Sequence, residues 1–163
     1  MSLTIDLSAR ETRLLRLALF SMLGQPRWNS EHADQEGRLE LLDAYDQTAS
    51  GLQLGTALRV EPETVELLDS ALRRLTSELK NYELLAGAAA GQRSGSMVEG
   101  FDEELADLFP EAAADRAELD ALLPELIGLR RDFSQARRGL AEMAAGSREE
   151  GERARRWWQF WRR

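Results

Sequence analysis

Apolar positions recur along this chain at two spacings, one of strands and one of helices. Leu3, Ile5 and Leu7 alternate with polar residues, the period of a short strand. Ser8 then precedes Glu11 by three positions, a capping box that opens a helix over about 9–23, with Gly24 and Pro26 as its stop. Eight of the ten residues from Leu14 to Leu23 are apolar, so most of this helix's circumference should be buried and it should be the central one. Residues 24–35 are polar and turn-forming. A second helix follows to about Ser50, with Leu39, Leu42, Tyr45, Ala49 and Leu52 on one stripe and Gly51 and Gly55 at its end. Alternation returns over 54–60 (Leu54, Leu58, Val60). Pro62 suits the first position of a third helix, and Val60 with Val65 suits a hydrophobic staple.

The third helix has the clearest pattern. Val65, Leu68, Leu72, Leu75, Leu79, Tyr82 and Ala86 keep strict three–four spacing, the seam of a coiled coil or a long bundle helix. The Gly/Ala-rich stretch 87–100 reads as a flexible connection. A short acidic helix is expected from Phe101 to Phe109, and then a long helix over about 111–145 with Leu119, Leu122, Leu126, Leu129, Phe133, Ala136, Leu140 and Met143 in register. Pro124 removes a backbone donor inside that register, which predicts a kink or restart near Leu123. Gly146 reads as a stop, and Ser147 with Glu150 as a second capping box. The expected fold is all-α: a helical bundle of about four main helices with heptad-like seams, a short acidic helix and a C-terminal amphipathic helix, with two short extended segments. It divides into a bundle domain, 1–146, and a basic aromatic tail, 147–163.

Two stretches resemble each other at an offset of 53 positions. Ile5, Leu7, Leu14, Leu15, Ala18 and Leu19 match Leu58, Val60, Leu67, Leu68, Ala71 and Leu72. A duplicated strand-plus-helix unit would explain this. So would the habit of capped amphipathic helices to share a Leu-Leu-x-x-Ala-Leu run.

Composition narrows the chemistry. The 163 residues include no cysteine, which excludes disulfides, thiolate metal sites and cysteine nucleophiles. The lone histidine, His32, excludes sites that need two imidazoles. His32 and Glu36 share a helical spacing, but two ligands fall short of the three or four that a metal centre requires. No Gly-x-Ser-x-Gly elbow or phosphate-cradling glycine loop is present. These absences predict a protein that is not an enzyme and has no cofactor and no metal; an enzyme or metal-binding helical bundle is the alternative. A net charge of −8 argues against general nucleic-acid binding. Twenty arginines against one lysine fit GC-rich codon usage and hence a bacterial source. No secretory signal or membrane-spanning stretch is evident, which predicts a cytoplasmic location, with peripheral attachment at the inner membrane face as an option.

The tail changes the picture most. Residues 147–163 hold three of the four tryptophans and six arginines against three glutamates, a net +3 that leaves −11 on the rest. At about 100° per residue, Ala154, Trp157, Trp158, Phe160 and Trp161 fall within an arc of about 160°, with Arg155, Arg156, Arg162 and Arg163 outside it. An aromatic face flanked by arginines is a membrane-interface pattern and also a protein-docking one. The expected docking set is Arg153, Arg155, Arg156, Trp157, Trp158, Phe160, Trp161, Arg162 and Arg163, and the expected function is a non-catalytic adaptor or scaffold. Its partner would be an anionic membrane surface or another protein; in the remaining alternative the tail packs on its own bundle in an accessory subunit. Phe101, Leu105, Leu108 and Phe109 form a second, acidic docking candidate of the kind that lays an apolar stripe in a partner's groove. Self-association as a homodimer through the heptad seams is a further route.

Overall fold

A computed structural model describes the backbone of residues 3–25, 35–82 and 98–160 and, outside residues 35–36, 143–144 and 147–160, their side chains. The described chain is mostly helical. In order it forms β1 (Leu3–Leu7), α1 (Ala9–Leu23), α2 (Gln35–Ala49), β2 (Thr56–Val60), α3 (Pro62–Asn81), α4 (Phe101–Leu108), α5 (Pro110–Ala114) and α6 (Arg116–Phe160). The expected connection over 87–100 lies outside the described residues as far as residue 97.

The capping box forms as the spacing dictates. The Ser8 N–H donates to Glu11 Oε2 at 2.8 Å and the Glu11 N–H to Ser8 Oγ at 3.3 Å. α1 packs on α2, α3 and α4 and also meets α6, and Leu14, Leu15, Leu17, Ala18 and Leu19 are wholly buried. α3 opens at Pro62 after the cap residue Glu61, with Val60 and Val65 buried on either side.

β1 and β2 pair antiparallel, and Ile5 lies opposite Leu58. These are the first matched residues of the 53-residue repeat. The strand register therefore aligns the two matched stretches where they begin. Of the matched pairs, Leu15 and Leu68, Ala18 and Ala71, and Leu19 and Leu72 are wholly buried, whereas Leu67 and Ile5 are only half-buried opposite the wholly buried Leu14 and Leu58.

Several expected boundaries move. β2 starts at Thr56, and Leu54 is 94% exposed in the preceding turn, where Gly55 takes a left-handed φ of 87° and Leu7 O stands where a Cβ would have to go. The buried stripe of α2 is Leu41, Ala44 and Thr48, one position away from the expected row, and Leu39 is 64% exposed. Thr48 is tolerated inside because its hydroxyl donates to Tyr45 O at 2.6 Å and accepts from Arg16 at 3.3 Å.

The long C-terminal helix breaks at Asp115, not at Leu123. Asp115 is extended, its side chain accepts the Ala117 N–H at 2.8 Å, and its carbonyl accepts the Leu119 N–H at 3.0 Å, which makes it the N-cap of α6. Pro124 sits exposed inside α6 without ending it. Gly146 is likewise no stop. The backbone stays helical through it to Phe160, so the change of sequence character at residue 147 falls within one helix.

Candidate functional site

α3 and α6 run antiparallel. Arg116 donates to Tyr82 O at one end, Arg130 Nε reaches Asp69 Oδ1 at 3.4 Å in the middle, and Arg137 pairs with Glu66 at 3.5 Å near the other end. Each helix carries a buried row, Val65, Leu68, Leu72, Leu75 and Leu79 on α3 and Leu119, Leu122, Leu126, Leu129, Phe133 and Leu140 on α6. These rows are spent inside the chain, so neither is a free seam for a second copy.

Pro62, the first residue of α3, lies one turn beyond Glu66 and so comes level with about residue 141 of α6. Leu140 is the last buried side chain described on α6, and Ala141, Glu142, Ala145 and Gly146 are exposed. The backbone continues as helix to Phe160, about 30 Å past Leu140 at about 1.5 Å per residue. Arg153, Arg155, Arg156, Trp157, Trp158 and Phe160 ride on this extension; their side chains, and Trp161, Arg162 and Arg163 entirely, lie outside what is described.

The second docking candidate is corrected by its burial. Phe101, Leu105, Leu108 and Phe109 are 1%, 0%, 6% and 2% exposed, so this stripe fills the chain's own core and is not offered to a partner. Phe109 also falls outside α4 and links it to α5. The acids of α4 help to fasten it. Tyr82 donates to Asp102 at 2.6 Å, and Glu104 pairs with Arg16 at 3.3 Å and accepts from Tyr45 at 3.3 Å. The Arg13 and Arg10 guanidinium groups lie 5.5 and 5.7 Å from the Phe109 ring centre. Burial pushes the Tyr45 phenol above its ordinary value, and the Glu104 carboxylate adds to the rise.

One cluster escaped the sequence reading. Asp69 is buried on the α3 face that meets α6, and two arginines neutralise it: Arg73 from its own helix, with Nε at 2.8 Å, and Arg130 from α6. Beside it lies a cavity of about 290 Å³ between the two helices, lined by Val65, Asp69, Arg73, Phe133, Ser134, Arg137, Arg138 and Ala141. Its walls carry three arginines against one aspartate, in a chain whose net charge is −8. The available signal was a charge beside an apolar row: Asp69 stands four residues after Val65 and follows Leu68 directly. A more open groove of about 700 Å³ lies between α2, β2 and the start of α3, with Glu40, Asp43 and Glu61 facing Arg59.

His32 lies outside the described residues, and among the described ones no three metal-ligating side chains come together. No described helix is long and apolar enough to cross a membrane. No protein family, no curated protein and no solved structure matches this chain.

Proposed function

We propose that this protein is a non-catalytic adaptor or scaffold that attaches to an anionic membrane surface through its C-terminal Trp/Arg segment, with α6 as the arm that carries it. The observation behind this reading is the length of α6. It outlasts its partner helix and remains helical to Phe160. A helical backbone that runs on past the end of its partner helix can carry a segment to a surface of its own. The segment it carries joins a tryptophan-rich face to six arginines, and both are needed: the aromatics supply the insertion term and the arginines the attraction to anionic headgroups. A bacterial source and a cytoplasmic location at the inner membrane face fit this role. The test is co-sedimentation of the full-length protein with anionic vesicles, compared with the double variant Trp157→Ala/Trp161→Ala. Binding by the former and not the latter supports the reading. Absence of binding at low salt moves the docking role of the same segment to a protein partner.

A further inference from the structure

We propose that the cavity between α3 and α6 is a binding site for a phosphate monoester group. The site is independent of the tail. Its back wall is apolar, with Val65 and Phe133 at 1% and 0% exposure, and its polar groups converge from both helices.

Asp69 organises the arginines. One carboxylate oxygen takes Arg73 through Nε and Nη2, and the other takes Arg130. These bonds fix the Arg73 guanidinium and leave its Nη1 edge uncommitted. Among the described residues Arg137 is tied only to Glu66, an exposed carboxylate 3.5 Å away. Arg138 makes no ion pair among the described residues, so its whole fork of donors is available. Ser134 adds a hydroxyl to the lining.

Charge selects the ligand class. Arg73, Arg130, Arg137 and Arg138 against Asp69 and Glu66 leave two positive charges on the cluster, which a dianion balances and a single carboxylate does not. Planar guanidinium groups pair with phosphate oxygens through two parallel bonds, and a phosphate monoester offers three such oxygens. At about 290 Å³ the cavity holds that group with only a small organic remainder against the Phe133 wall. The same headgroup chemistry could reach the site from a free small molecule or from a monoester lipid.

The test uses full-length protein and its variants Arg138→Gln and Arg137→Gln. Arg138 is exposed and makes no ion pair among the described residues, and Arg137 has one exposed partner among them, so both variants should keep the parent's circular dichroism spectrum. Glycerol 3-phosphate should bind saturably by calorimetry and raise the melting temperature above the effect of sodium chloride at equal ionic strength. Each variant should lose affinity by about tenfold, the cost of one charge-assisted contact. A second arm compares vesicles of phosphatidic acid with vesicles of phosphatidylglycerol at equal surface charge. A preference for phosphatidic acid that Arg138→Gln removes assigns the site to a lipid headgroup; soluble binding without that preference assigns it to a free metabolite. The Trp157→Ala/Trp161→Ala protein should retain the glycerol 3-phosphate response whatever its vesicle binding, which separates this site from the tail. No response to glycerol 3-phosphate and no phosphatidic acid preference, or responses that survive both arginine variants unchanged, would overturn the proposal.

Discussion

The side-chain amide of Gln47 closes the outer edge of β2 at Arg59: its oxygen accepts the Arg59 N–H at 2.9 Å and its nitrogen donates to the Arg59 carbonyl at 3.1 Å. A side chain from α2 thus stands where a third strand would pair, and Asp43 holds it there at 2.8 Å. Gln47→Ala removes both backbone bonds, and a cost of about 1–2 kcal/mol is expected in denaturant unfolding. Gln47→Glu should be worse at neutral pH. A carboxylate cannot donate to the Arg59 carbonyl, and it would face the Asp43 carboxylate. A Gln47→Glu protein as stable as the parent would mean that the amide nitrogen contributes nothing.

Neighbouring residues on α6 should respond in opposite ways. Leu126 is 0% exposed, whereas Ile127 is 51% exposed. Leu126→Ala should cost about 2–5 kcal/mol through lost burial and the cavity left behind. Leu126→Asp should prevent folding, because an unpaired charge would enter the core. Ile127→Asp should stay within about 0.5 kcal/mol of the parent. Urea melts followed by circular dichroism distinguish these outcomes, and a tolerated Leu126→Asp would remove α6 from the core.

Pro124 is exposed inside α6 and interrupts the backbone ladder without packing against anything that would need its ring. Pro124→Ala restores a donor toward the Asp120 carbonyl one turn back. A gain of about 1–3 kcal/mol is expected, the usual penalty of an interior proline reduced by whatever local adjustment α6 already makes. A melting temperature unchanged or lowered by this substitution would show that Pro124 costs α6 nothing.

Elements with redundant local signals were legible in the sequence. α1 was bounded by a capping box and Gly24, α3 by Pro62 and an unbroken apolar row, and both strands by alternation. What failed depended on choices that apolar spacing does not record. Thr48 and Asp69 are polar residues buried because Tyr45 O, Arg73 and Arg130 satisfy them, so a reading that counts only apolar positions misplaces one stripe and misses one cluster. Asp115 caps α6 with its own carboxylate, a signal overshadowed by Pro124 nine residues later. Gly146 reads as a terminator only if the chain must turn there; with helix-forming neighbours on both sides the penalty is about 1 kcal/mol and the helix absorbs it. The acidic stripe of α4 was read correctly as amphipathic, but spacing alone does not say whether an apolar face meets a partner or its own core.

Tyr45 should make the fold sensitive to alkali. Burial raises its pKa, Glu104 adds to the rise and Arg16 opposes it. The folded value therefore lies above the unfolded one. Its contribution to stability is fully present below pH about 10 and is lost as pH climbs through the folded value. Tyrosinate absorbance of the parent minus that of Tyr45→Phe should show an ionisation displaced above that of free tyrosine. The alkaline fall in unfolding free energy should be smaller in Tyr45→Phe. An ionisation at or below the ordinary value would mean that the ring is open to water.

The tail offers the most direct test of function. Arginines near an anionic leaflet contribute about 1 kcal/mol each, so the five from Arg153 onward set an upper bound of about 5 kcal/mol, lowered by Glu149, Glu150 and Glu152 nearby. Attachment of that size is reversible and should weaken with added salt, because screening shortens the reach of these charges to about 10 Å at 0.1 M. Three of the four tryptophans lie in this segment, so emission reports on it. Binding to anionic vesicles should shift the emission to the blue as the rings leave water. A chain ending at Gly146 should remain in the supernatant and give no shift. The outcome that would displace the membrane reading is a blue-shifted spectrum without lipid, together with lowered stability on truncation. The tryptophans would then be packed on the protein's own body, and α6 would have to bend within the twenty residues after Leu140.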